Sequence, residues 1–154
     1  MIFSGLRRGI LLRRRMRFLA DIELPEGMVT AHCPNTGSMK SLLLEGSIAY
    51  LSYSPNPHRR YPYTLEFLQL PHGAWAMVNT ARANALVAEG LVNAAFLQCL
   101  PEQIQREVSL PSGSRMDFYI ACNPPIWIEV KNVTLIEPQS PHCAQFPDAI
   151  TQRG

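Results

Sequence analysis

The sequence predicts an α+β protein in two parts, a small β-barrel over residues 1–78 and an α/β unit over residues 79–154. Three observations carry that reading. Apolar residues recur at period two through most of the first part, the spacing of half-buried strands. The first good helical pattern comes only at "TARANALVAEG" (80–90). The charge is also unevenly divided: residues 1–64 carry nine Lys/Arg against four Asp/Glu, net +5, and residues 65–154 carry five against eight, net −3. A basic part suits an anionic partner, and an acidic part suits a cation.

From Ile10 to Leu24 the chain alternates, with Met16, Phe18, Ala20, Ile22 and Leu24 on one face and Arg15, Arg17, Asp21 and Glu23 on the other. "PEG" (25–27) makes a turn and "MVTAHC" (28–33) returns as a second strand. Further strands are expected at 47–53, 63–70 and 74–79. Five short strands without a long helix fit a closed or partly open barrel, because closure removes exposed edges. Thr80 is placed to cap a helix that Gly90 would stop. "PEQIQREV" (101–108) reads as a second helix, with Pro101 in its first turn. Strands at 115–121 and 126–135 follow, joined by an Asn-Pro-Pro turn.

Composition narrows the function. The chain has 154 residues, 47% of them hydrophobic and 17% charged, so it is globular and without low-complexity tracts. Cys33, Cys99, Cys122 and Cys143 are scattered and show no zinc-ligand spacing. His32, His58, His72 and His142 also lack partners at ligand spacing. "GILL" runs at once into three arginines, unlike a signal peptide, and no segment is apolar enough to span a membrane. The expectation is a cytoplasmic protein without membrane partners; a homo-oligomer stays open.

The chemistry concentrates in "RMDFYIACNPPIWIEVKNV" (115–133), where Asp117, Glu129 and Lys131 interrupt apolar strands. Alternation places Glu129 and Lys131 on one face, and hairpin pairing lets Asp117 face the same point. Two converging carboxylates repel each other unless a divalent cation such as Mg²⁺ sits between them. Asp117 and Glu129 are therefore the candidate metal ligands and Lys131 the group that orients or deprotonates water, with Glu107 as a third acid from the preceding helix. The alternative is that Asp117 and Glu129 pair with Arg115 and Lys131 at a sheet edge.

A second cluster is basic. Arg7, Arg8, Arg13, Arg14, Arg15 and Arg17, extended by Lys40, Arg59 and Arg60, could track a phosphate backbone, with Tyr50, Tyr53, Tyr61 and Tyr63 stacking on bases. A solvated basic face with rim tyrosines is the other reading. "HCPNTGSMK" (32–40) reads as a tight polar loop whose Asn35, Thr36 and Ser38 cap backbone groups or contact phosphate.

"RMDF" (115–118), "EVKNVTL" (129–135) and "FPDAITQRG" (146–154) resemble the C-terminal half of the sugar fermentation stimulation protein A family. "RRRMRFLADIEL" (13–24), "HCPNTGSM" (32–39) and "RRYPYTLE" (59–66) resemble its N-terminal half, in the same order. The resemblance implies an OB-fold-like barrel followed by a PD-(D/E)xK nuclease-like α/β domain, with Asp117, Glu129 and Lys131 as the motif triad and Glu107 as the helix acid. It implies DNA binding, with Mg²⁺ or Mn²⁺ as cofactor if the site is a nuclease. It equally allows a non-catalytic, DNA-binding regulator of sugar (maltose) metabolism genes with a vestigial site. Met116 stands where the family usually has proline. Family members continue beyond the position of Gly154, so the second domain is expected to be incomplete here.

Overall fold

The computed structural model describes residues 1–93, 100–136 and 144–145. The chain divides into two units, Ile2–Thr80 together with the segment from Asn132 onward, and Ala81–Lys131 together with Met1.

In the first unit, β1 (Arg7–Arg15), β2 (Leu19–Leu24) and β3 (Gly27–His32) form an antiparallel meander. The single alternating run expected from Ile10 to Leu24 is thus a hairpin. Met16 and Arg17 turn the chain with φ of 52° and 63°, the left-handed pair that matches the twist of a tight hairpin. Alternation continues through those two residues in the sequence, which hid the turn, and Met16 ends up exposed. β4 (Ile48–Tyr53) pairs with β1, and β5 (Tyr63–Gln69) pairs antiparallel with β4 and parallel with β3 through Ala31–Tyr63 and His32–Thr64. That parallel pairing closes a five-stranded barrel in the order β1-β2-β3-β5-β4, the OB-fold arrangement. β6 (Trp75–Met77) extends the sheet from β5.

Leu11, Ala20, Ile22, Leu24, Ala31, Leu51, Leu65 and Leu68 fill the barrel. Gly9 allows β1 to approach β2: a Cβ there would lie 2.5 Å from the Glu23 carbonyl oxygen and 2.6 Å from the Ile22 Cγ2. The β1–β2 register slips at Leu12, so that Leu11 pairs with Ile22 but Arg13 pairs with Asp21. This bulge swaps which residues face outward. Arg13 and Arg15 consequently leave the barrel on the side of Asp21.

The second unit begins with α1 (Ala81–Val92). Gly90 does not stop it; the helix runs two residues further, and the Asn93 side chain donates to the Glu89 carbonyl at 2.9 Å, satisfying one of the carbonyls a helix end leaves open. The helix expected at 101–108 is also not there. Pro101–Gln103 makes one 3₁₀ turn, and Ile104–Ser109 is strand β7, paired with β8 (Arg115–Ile120). Ile104 and Val108, four apart, suit a helix face and a strand face equally, and the hairpin decides between them. β9 (Ile126–Ile128) completes a three-stranded antiparallel sheet, β7-β8-β9. Phe118 and Ile120 are fully buried on its even-numbered face. The strand expected to run to residue 135 stops at Ile128; Leu135–Ile136 (β10) pairs separately with Ala144–Gln145 (β11).

Candidate functional site

The β8–β9 register pairs Tyr119 with Trp127 and Phe118 with Ile128. Asp117 is the next residue along β8, and Glu129 is the first residue past the end of β9. The ladder ends there because the Asp117 carboxylate intervenes: its Oδ2 accepts the Val130 N–H at 2.6 Å, and its Oδ1 accepts the Asn84 Nδ2 of α1 at 2.6 Å. Asp117 is thereby held from both sides. Glu129 Oε1 accepts from Lys131 Nζ, the pairing that alternation along the chain makes available.

Glu107 flanks Asp117 on the other neighbouring strand. The β7–β8 register pairs Arg106 with Phe118 and Val108 with Met116, so Glu107 stands across from Asp117 without joining the ladder. Its φ of 55° takes it out of strand conformation, and its carboxylate pairs with Arg115 Nε at 3.0 Å. Glu107 therefore sits on a strand, not on the helix from which it was expected to reach the site. Glu107 on β7, Asp117 on β8 and Glu129 just past β9 each have a different partner. Among the described residues no three His, Cys, Asp or Glu side chains gather as a ready ligand set. The sheet-edge alternative is met for Glu129, which pairs with Lys131, and not for Arg115, whose partner is Glu107.

Asn84 and the Tyr119–Trp127 pair escaped the sequence reading. Asn84 is a lone polar amide in an alanine-rich helix, the one signal that could have marked it. Trp127, 44% exposed, lies against Tyr119 with ring centroids 4.4 Å apart and planes tilted by 46°, on the face of the sheet that holds Asp117.

The basic residues of the barrel are more engaged than a solvated face would be. Asp21, buried on the outer side of β2, accepts from Arg13 Nε at 2.8 Å, from Arg15 Nε at 3.0 Å and from Thr30 Oγ1 at 2.9 Å. Burial pushes its carboxyl up, but hydrogen bonds from Arg15, Arg13 and Thr30, with the charge of Arg15, outweigh that and bring the pKa to about 2. Arg14 donates to the carbonyls of Arg17 (3.0 Å), Ser38 (3.2 Å) and Asn35 (2.6 Å), tying the polar loop to the barrel end. Within that loop Asn35 Oδ1 caps the Gly37 N–H at 2.9 Å. Arg7 pairs with Glu26. Arg59 donates to Thr64 Oγ1 at 2.9 Å, and the Arg60 guanidinium lies 5.4 Å from the Tyr61 ring centre. His32, Arg59, Arg60 and Tyr61 line an open depression of about 270 Å³. Arg17 and Lys40 are exposed. Tyr50 and Tyr53 stack within the protein, on Trp75 and Tyr63.

Cys33 is buried, which pushes its thiol pKa up, and Cys122 is a free, half-buried thiol. Cys99, Cys143 and His142 lie outside the described residues. Among the described residues no helix is long and apolar enough to cross a membrane.

Two family profiles match the chain almost end to end: the SfsA N-terminal OB domain over residues 12–78, and the sugar fermentation stimulation protein RE domain over residues 81–154. The chain belongs to the sugar fermentation stimulation protein A family. The sugar fermentation stimulation protein homolog of Geobacter sulfurreducens is 48% identical over 148 residues, covering 95% of this chain and 62% of the relative. The homolog of Pseudomonas entomophila is 48% identical over 157 residues, covering 99% and 66%. The solved structure of Pyrococcus furiosus SfsA in complex with Ca²⁺ superposes with a TM-score of 0.77 at 25% identity, over 99% of this chain and 64% of that one. This member of the family therefore spans a little under two thirds of the length of these relatives.

Proposed function

We propose that this chain binds DNA and cleaves phosphodiester bonds with a divalent cation, Mg²⁺ or Mn²⁺, held by Asp117 and Glu129. The single observation behind this reading is that the Asp117 carboxylate accepts the N–H of Val130, the residue between Glu129 and Lys131, which brings Asp117 beside both. Neighbouring carboxylates repel each other, so the pair suits a site that a cation completes. The donor set fits a hard cation, which takes carboxylate oxygens and water. An ionised carboxylate has about four acceptor positions, and two hydrogen bonds on Asp117 leave room for a metal while fixing the group's direction. The Ca²⁺ in the Pyrococcus furiosus relative is of the same hard, oxygen-seeking class.

When bound, such a cation would supply charge stabilisation and a more acidic water. The protein's own groups do the rest. Asn84 and the Val130 amide hold Asp117 in place. Lys131, a three-donor point charge, would orient the attacking water once it exchanges its contact with Glu129 for one with that water. Glu107 is the third acid, available when Arg115 releases it. The barrel, through Arg13, Arg15, Arg17, Lys40, Arg59 and Arg60, would hold the nucleic acid.

A second reading has support in the same geometry. Glu129 with Lys131 and Glu107 with Arg115 are neutralised internally, as expected of a DNA-binding regulator of sugar metabolism genes whose acidic site has no chemistry. Incubation of plasmid and single-stranded DNA with Mg²⁺ or Mn²⁺ separates the two. Cleavage that disappears in Glu129→Ala supports the nuclease. Salt-sensitive DNA binding with no cleavage beyond that of Glu129→Ala leaves the regulator, and absence of DNA binding at low salt removes both.

A further inference from the structure

Asp21 joins three strands on the outside of the barrel. Arg13 pairs with it across β1–β2 and Thr30 across β2–β3, so one row contains a guanidinium, a carboxylate and a hydroxyl. Arg15, two residues from Arg13, reaches the same carboxylate with Nε at 3.0 and 3.2 Å and Nη2 at 3.1 Å, and it also donates to Thr30 Oγ1 at 3.2 Å. The exposures are opposed: the Asp21 side chain is 2% accessible, those of Arg13 and Arg15 70% and 43%. Both arginines thus have one edge committed to a buried acid and the rest of the guanidinium in solvent. Arg13 contacts Asp21 through Nε, and its side chain is largely in solvent.

We infer that Asp21 is a positioning residue, holding Arg13 and Arg15 as a fixed pair of guanidinium forks that receive the phosphodiester backbone of a nucleic acid. The inference rests on the DNA-binding reading above. Two guanidinium groups on one carboxylate leave a local charge of +1, aimed outward. Planar forks already held in place lose less freedom when they bind a phosphate than free side chains would. The bulge at Leu12 gives this pair its outward direction. The surface also continues: the register runs from Arg15 through Leu19 and His32 to Thr64, and Thr64 holds Arg59.

The sign of one substitution tests this. Asp21→Asn removes a negative charge and raises the chain's net charge from +2 to +3, so attraction between net charges alone would tighten DNA binding. Positioning requires the opposite. Anisotropy titrations of a labelled single-stranded oligonucleotide and of its duplex, from about 50 to 200 mM salt, should show Asp21→Asn weakening binding about tenfold and lowering the salt slope by about 1. The charge-conserving double variant Arg13→Lys, Arg15→Lys keeps Asp21 ion-paired and should also weaken binding several-fold, which covers the case in which Asp21→Asn fails to fold. A folded Asp21→Asn that binds as tightly as the parent or tighter overturns the inference, as does a double lysine variant with parental affinity. If the parent binds no DNA at low salt, the DNA-binding reading itself fails; if only the variants disagree, that reading stands and the role of Asp21 does not.

Discussion

Asp117 accepts the Val130 N–H at 2.6 Å, and this one hydrogen bond explains why β9 ends at Ile128. The amide is drawn to a side chain instead of continuing the ladder. Glu129 and Lys131 are thereby set just beyond a strand end, on either side of the residue whose amide Asp117 holds. A charged triplet that looked misplaced inside a strand is in fact its terminator.

Asn84 is the other support of Asp117. Asn84→Ala should cost about 1 kcal/mol of stability, the net worth of one partly buried hydrogen bond. The check is a urea unfolding midpoint shifted downward with an unchanged slope. The same variant should weaken divalent-cation binding, because the carboxylate loses the group that aims it.

Arg115 competes with any cation for Glu107. Removing it in Arg115→Ala should free Glu107 as a third acid near Asp117. Mn²⁺ affinity should rise about fivefold, as expected for roughly 1 kcal/mol of added charge attraction near the surface. Calorimetric titration of the parent and the variant measures it.

Asp21 makes stability depend on acid. Its folded pKa of about 2 lies below the ordinary 3.8, so the folded state favours the ionised form. Its contribution is fully present above the unfolded value and is lost as pH falls from about 4 toward about 2. Melting temperatures across that interval should fall more steeply for the parent than for Asp21→Asn.

Gly9 tests the closeness of β1 and β2. A methyl group there would meet the Glu23 carbonyl and the Ile22 and Leu24 side chains, all within 2.8 Å. Gly9→Ala should lower stability by about 1–3 kcal/mol, the usual cost of overpacking a filled core. A melting temperature equal to the parent's would show that the strands have room to separate.

The barrel was legible because period-two alternation survives wherever one strand face is buried, as at Ala20, Ile22 and Leu24. Its details were not. The turn at Met16 and Arg17 keeps the alternation running, and the slip at Leu12 lies within an unbroken apolar run, so neither leaves a mark in the pattern. In the second unit, Ile104 and Val108 fit both periodicities, and only pairing with β8 selects the strand. Asp117, Glu129 and Lys131 could be read because charges in apolar strands are costly and ask for a reason. Asn84 could not, since its role depends on a partner 33 residues away. Asp21 was seen as one of several outward polar residues. The convergence of two arginines on it needs the bulge, which only tertiary structure reveals.

Binding of Mn²⁺, followed by electron paramagnetic resonance of the free ion, is the most direct measurement of what Asp117 and Glu129 do together. One ion taken up per chain by the parent, and none at the same concentrations by Asp117→Asn or Glu129→Gln, is the expected result. Uptake that is absent in the parent, or unchanged in both variants, would contradict a cation site between these two carboxylates.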